Sequence, residues 1–208
     1  MTKKQKIIEI INILKELFPD AECMLRYNKP YELLIATRLS AQCTDVRVNI
    51  VTVPLFERFT SLEEFANADI SEIEEYIHSC GLYKTKAKDI KLMCRQLIDD
   101  YNGELPDSIE ELTKLSGVGR KTANLIMGDI FKQPAVVTDT HLIRICGRLG
   151  FTNSKVPQKV EQDLKKILPP EESSDFCHRI VLFGRALCTA RNPKCEQCKL
   201  QKYCTYKK

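Results

Sequence analysis

Apolar residues recur along this chain at intervals of three and four, the spacing that lines one face of an α-helix. In the first segment Ile7, Ile8, Ile11, Leu14, Leu17 and Phe18 are assigned to one face, and Pro19 ends the run. Pro30 opens a second helix with Leu33, Leu34 and Ile35 turned inward. Thr44-Asp45 caps a third that reaches Phe59, in which Pro54 is expected to cause a kink or a break. Ser61-Leu-Glu-Glu64 and Ser71-Glu-Ile-Glu74 both have capping-box form. Residues 84–101 make an amphipathic helix ending near Asn102-Gly103, and Pro106-Asp-Ser108 starts a short one to Leu115. Further helices are predicted over 120–131, 139–149, 157–167 and 173–190. No stretch alternates at period two, so the fold class is all-α, without low-complexity linker or tandem repeat.

Composition narrows the setting. At 208 residues the chain has room for one large domain or two small ones. Its start is basic and then apolar, but Lys6, Glu9, Asn12, Lys15 and Glu16 interrupt the apolar residues at helical spacing, which excludes a signal peptide. No apolar run approaches the ~20 residues of a membrane span, so a cytoplasmic protein without a membrane partner is expected, nucleoid-associated in a prokaryote. Of ten cysteines, Cys23, Cys43, Cys80, Cys94, Cys146 and Cys177 are scattered singly among helical patterns and read as small buried hydrophobes. The net charge of +4 says little, but its distribution says more. Residues 61–80 carry six acids and no Lys or Arg, whereas 114–148 carry six basic residues against two acids and 188–208 six against one. The basic segments suit a phosphate-facing side.

Both basic segments hold motifs. In Leu115-Ser-Gly-Val-Gly-Arg-Lys121-Thr-Ala-Asn124, two helices meet at a glycine turn. Gly117 and Gly119 are expected to permit angles and a close approach that a Cβ would block, with Leu115 and Val118 plugging the core beneath. The first amides of the following helix then face an anion such as a DNA phosphate. The spacing is not that of a nucleotide P-loop. The second motif is Cys188, Cys195, Cys198 and Cys204, in the pattern C-x6-C-x2-C-x5-C. Four thiolates so close in a tail can wrap one metal centre, and disulfides are disfavoured in a reducing compartment. Zinc and a 4Fe–4S cluster both accept four sulfur ligands; the two longer gaps mildly favour the cluster.

The hairpin LSGVGRKTAN resembles the helix-hairpin-helix of the DNA repair glycosylases. Val137-Thr-Asp139-Thr-His141 resembles that family's loop with its catalytic aspartate. Leu39-Ser-Ala-Gln42-Cys-Thr-Asp45 and Gly81-Leu82-Tyr83-Lys-Thr-Lys86-Ala87 resemble its DNA-inserting loops. With the terminal cysteines the chain, over almost its whole length, is similar to the endonuclease III family of glycosylases with abasic-site lyase activity.

That resemblance implies two helical domains with a DNA-binding cleft between them: a six-helix domain over 22–132, with the hairpin at about 108–131, and a cluster domain from 1–21 plus 133–208. It implies a monomer acting on double-stranded DNA that contains damaged bases or abasic sites, with oxidised pyrimidines as targets. Pyrimidine dimers or mismatched bases are the alternative targets, and a non-catalytic DNA-binding module the alternative class. Lys121 is implied as the nucleophile and Asp139 as the group that aids the sugar cation and proton transfer. A helix start and partial burial of Lys121 would both favour its neutral amine. Gln42 and Leu82 are implied as the plugs that fill the gap left by an extruded base. Arg120 and His141 would contact phosphate, as would Arg191 and Lys194 in a loop held by the cluster, for which the resemblance favours 4Fe–4S over zinc. Ser116, where the family often has proline, is expected to loosen the turn, and Met127-Gly128-Asp129 departs from a usually apolar stretch.

Overall fold

The computed structural model describes residues 1–206 and consists of α-helices and short 3-10 turns, with no strand among the described residues. The chain forms two compact units, Met24–Phe131 and Met1–Cys23 with Lys132–Lys208. The cluster domain expected from sequence takes in Lys207 and Lys208, which lie outside the described residues.

Helix α1 (Lys3–Leu17) belongs to the two-segment unit. The continuous unit holds α2 (Pro30–Ser40), α3 (Asp45–Arg58), α4 (Leu62–Asn67), α5 (Ile70–Ile77), α6 (Tyr83–Tyr101), α7 (Ile109–Leu112) and α8 (Arg120–Asp129). Helix α6 is its axis, packing against α2, α4 and α5 with Ala87, Ile90, Met93, Cys94 and Leu97 at three- and four-residue intervals. Helix α2 is apolar on almost all sides, and Leu33, Leu34, Ile35, Ala36 and Leu39 are fully buried between α3, α6 and α8. Phe59 and Phe65 stack 4.9 Å apart beside Tyr76. Burial of each Phe contributes about 1.5–3 kcal/mol.

The other unit packs α1 and α9 (Thr140–Arg148) on α11 (Ser173–Ala186), and α10 (Pro157–Lys165) carries buried Val160 and Leu164. The Lys3 and Lys6 ammonium groups donate to the carbonyls of Phe151 and Leu149, just past the end of α9. Cations are favourable there, because the last carbonyls of a helix lack internal partners.

Several local expectations are corrected. Ile8 is exposed and Ile10 takes the buried place, because 7, 10, 11 and 14 close the helical stripe. Helix α3 runs on through Pro54. Pro54 lies on a solvent face with Val53 and Ile50, where water can serve the carbonyl that lacks its amide partner. Ser61 caps α4 by accepting the Glu64 amide, but Ser71 lies inside α5, which starts at Ile70 after Asp69. The helix expected to reach Leu115 ends at Leu112, and 113–118 continue as hydrogen-bonded turns. Cys23 and Cys43 are only half-buried, whereas Cys80, Cys94, Cys146 and Cys177 are core residues.

Candidate functional site

The hairpin lies in the continuous unit. Ser108 caps α7, Leu115 and Val118 bury their side chains, and the exposed turn leads into α8 with Gly119 as its N-cap. The two glycines differ in kind. Gly117 has φ +73°, and a Cβ there would stand 2.7 Å from Nε of Arg38. Gly119 has an ordinary extended backbone (φ −99°, ψ 173°), and a Cβ there would meet no protein atom within 4 Å. The expectation that the fold itself bars a side chain holds for Gly117 only. Gly119 directly precedes the first turn of α8, which holds no acidic residue to offset the positive end of the helix.

Ser116 does not loosen this turn. Its amide, which proline would lack, donates to Gln96 Oε1 at 2.8 Å, and its hydroxyl donates to Asp89 Oδ1 at 3.1 Å. Asp89 Oδ2 in turn accepts from Arg38 Nε at 2.8 Å and pairs with Nη2 at 2.6 Å. Polar anchors on α2 and α6 thus hold the hairpin against the unit.

Substitution should separate the glycines. Gly117→Ala should lose about 1–2 kcal/mol to left-handed strain, before any cost of displacing Arg38. Gly119→Ala should cost only about 0.5 kcal/mol, the usual penalty of alanine at an N-cap, while still obstructing an approaching phosphate. Urea melts paired with DNA-binding titrations would show it. Equal destabilisation by both changes would contradict the geometry.

Arg120 and Lys121 occupy the first turn of α8 and both are exposed. The partial burial expected for Lys121 is therefore not found. Gln42 and Leu82 are exposed as well, and both have left-handed backbone, φ +55° and +60°. Their loops adjoin within the unit: a Cβ on Gly81 would lie 3.6 Å from the Gln42 carbonyl.

Asp139 lies in the other unit as the N-cap of α9, accepting the Leu142 amide at 2.7 Å. The cap occupies one carboxylate oxygen and leaves the second for other work. His141, in the first turn, is half-buried: Nδ1 lies 3.1 Å from Nη2 of Arg144, and its ring fills the space where a Cβ on Gly184 would stand.

The same unit gathers the four tail cysteines. Cys188 follows α11, its amide donating to the Phe183 carbonyl, and 3-10 turns at Cys195–Gln197 and Gln201–Tyr203 carry the chain round. Buried Leu200 and Tyr203 anchor the turns, and the Tyr203 hydroxyl bonds Glu9 on α1. All four cysteines line a cavity of about 480 Å³, with Leu187, Pro193 and Leu200 among its walls. Burial pushes the Cys198 thiol up, and the three other thiols push the same way while the Leu200 amide opposes. Among the described residues, no three His, Cys, Asp or Glu side chains meet the arrangement of a single-ion site. Four thiols round one cavity, whose lining also includes Arg148, Lys194 and Gln201, fit the donor set of an iron–sulfur cluster.

Two arginines carry no sequence signal beyond their charge. Arg144 Nη2 donates to the Cys188 carbonyl at 3.0 Å, and Arg148 Nη1 reaches Cys188 Sγ at 3.1 Å and the Thr189 carbonyl at 2.9 Å. Both project from α9, so the helix that Asp139 caps also braces the start of the cysteine loop. Arg191 and Lys194 project from that loop into solvent.

The chain matches the HhH-GPD superfamily base excision DNA repair proteins over residues 35–170 and the iron-sulfur binding domain of endonuclease III over 188–204. The second match sets the zinc reading aside. Endonuclease III of Synechocystis sp. is 47% identical over 204 residues, 98% of this chain and 93% of the relative. That of Escherichia coli is 39% identical over 204 residues, 98% and 97% of the two chains. A solved structure of a trapped endonuclease III–DNA covalent intermediate superposes with a TM-score of 0.93 at 45% identity, covering 99% of this chain and 97% of the other. A thermostable thymine-DNA glycosylase, 24% identical with a TM-score of 0.88, shares the fold. A hairpin in one unit and a cysteine-lined cavity in the other thus meet full-length likeness, and the chain belongs to the endonuclease III family of HhH-GPD base excision DNA repair proteins.

Proposed function

We propose that this chain is a bifunctional DNA glycosylase and abasic-site lyase that removes oxidised pyrimidines from double-stranded DNA. The observation that carries this reading is Lys121, an exposed primary amine on the first turn of α8, a turn that holds no acidic residue. The amide ends of α8, with Arg120, hold a phosphate, which brings the neighbouring deoxyribose to the lysine. Gln42 and Leu82, on adjoining turns, fill the space of the extruded base. The Lys121 amine attacks C1′ as the base departs, and Asp139 stabilises the positive charge on the sugar. Ring opening leaves an imine between Lys121 and C1′. Loss of a C2′ proton breaks the C3′–O bond and releases the 3′ phosphate, and hydrolysis of the imine frees the lysine.

Cys188, Cys195, Cys198 and Cys204 would hold a 4Fe–4S cluster, which supplies cross-links that fix the Arg191–Lys194 loop. The 1–21 and 133–208 segments would form its domain and 22–132 the hairpin domain. His141, whose Nδ1 lies beside Arg144, would contact phosphate. No helix among the described residues is long and apolar enough to cross a membrane. Such an enzyme would work in the cytoplasm, associated with the nucleoid in a prokaryote.

The test is a duplex oligonucleotide with a single thymine glycol. Base release together with a nicked strand bearing the unsaturated aldehyde of β-elimination is the expected result. Base release with an intact strand would remove the lyase assignment. Activity confined to a pyrimidine dimer or a mismatch would move the target class.

A further inference from the structure

Helix α6 begins immediately after Leu82, and one turn in it carries a fully buried lysine, Lys86. A buried ammonium must satisfy its donors within the protein or cost several kcal/mol. Lys86 Nζ donates to the Leu39 and Ala41 carbonyls, each at 2.7 Å. The Leu39 carbonyl lies in the last turn of α2, and the Ala41 carbonyl belongs to its C-cap, directly before Gln42. At a helix end such carbonyls lack amide partners, and one cation between two of them fixes the direction in which the chain leaves. The chain leaves into Gln42 at φ +55°, a left-handed conformation that a non-glycine residue holds only where its surroundings impose it. The other end of the link is equally constrained. Leu82 is the N-cap of α6 at φ +60°, its carbonyl accepts the Lys86 amide at 3.1 Å, and its side chain is 56% exposed.

We infer that Lys86 is a positioning residue for the duplex reaction: its ammonium locks the Gln42 turn to the Leu82 turn so that both residues enter the DNA at one spacing. Lys86 is shielded from solvent and touches no substrate; it acts through the two turns. Burial pushes the Lys86 ammonium down, the Cys80 and Cys43 thiols oppose this and Arg38 adds to it. The two carbonyls, each at 2.7 Å, are the acceptors that hold it in place. Without it, two buried carbonyls lose their donor and the turns are free to separate. The inference rests on the reading of Gln42 and Leu82 as gap-filling residues.

A substrate that needs no gap filled distinguishes positioning from general damage. The holoprotein's lyase rate on a single-stranded abasic site should be insensitive to the turns, whereas excision from duplex DNA should depend on them. Lys86→Met should keep its cluster absorbance and its single-strand rate while the duplex rate falls between about tenfold and a hundredfold, the scale of an ångström-sized misplacement. Lys86→Arg keeps a cation but cannot set one nitrogen between both carbonyls, and should lower the duplex-to-single-strand ratio less. Should Lys86→Met not fold, the arginine variant decides by the same ratio. A wild-type ratio in the folded variant overturns the inference, as does an equal loss on both substrates. Gln42→Ala and Leu82→Ala serve as references. If they too leave the ratio unchanged, the gap-filling reading has failed, not the role of Lys86 alone.

Discussion

Lys121→Gln should abolish borohydride-trapped adducts with abasic DNA while leaving the protein at least as stable as the parent. The side chain is exposed on the first turn of α8, so its removal opens no cavity and orphans no buried group. A lysine there also stands at the positive end of the helix dipole, next to Arg120 and with no acid in the turn. Such a misplaced cation costs about 0.3–1 kcal/mol at low ionic strength, so the neutral variant should melt at the same temperature or slightly higher. Strand incision should fall by about a thousandfold or more, as when a covalent nucleophile is removed elsewhere. Affinity for abasic duplex should drop little, because the α8 amides and Arg120 remain. This combination marks a residue kept for chemistry against its local electrostatic interest. A trapped adduct in the glutamine variant would show that another amine is the nucleophile. A large stability loss would mean that Lys121 serves the fold.

The contrast between Lys121 and Lys86 shows what a sequence discloses. Helices are legible because burial of one face imposes a spacing, which places α6 and α11 to within a few residues. The Gly117 turn, the Asp139 cap and the gathering of the tail cysteines are legible because each depends on neighbours close in sequence. Lys86 lies within the Gly81–Ala87 motif, yet its role is hidden there, since its partners are 47 and 45 residues away. The Arg38–Asp89 pair, 51 residues apart, is hidden for the same reason and reverses the expectation for Ser116. Local signals also mislead where tertiary context prevails. Ser71 has the form of a cap, but α5 begins earlier, and Pro54 is a helix breaker that a solvent-facing carbonyl tolerates. The two glycines of the hairpin are alike in sequence and unlike in structure. Only the backbone angle and crowding at Gly117, against the empty space at Gly119, tell which of them the fold itself requires.

Replacing Cys198 by serine should produce the largest loss outside the nucleophile, and its form is diagnostic. The segment after α11 has two 3-10 turns and a few turn hydrogen bonds, with Leu200 and Tyr203 as its buried anchors. So little regular structure cannot by itself fix a loop of six residues between Cys188 and Cys195. If thiolate–iron cross-links hold that loop, loss of one ligand should bleach the broad absorbance near about 400 nm. It should also free Arg191 and Lys194 to move. Each phosphate that is no longer neutralised takes about 0.9 off the slope of log affinity against log salt, so the slope should become shallower by roughly 1.8 if both cations disengage. Arg191→Ala combined with Lys194→Ala should give the same shallower slope with the absorbance intact. The two results together would show that the tail binds DNA through its cations and that the cysteines act by holding them in place. An unchanged slope in the double variant would rule out the loop as a phosphate-binding element. A full-slope, colourless Cys198→Ser protein would show that the loop keeps its shape without the cluster, its bracing then lying with Arg144 and Arg148 of α9, which already hold the carbonyls of Cys188 and Thr189.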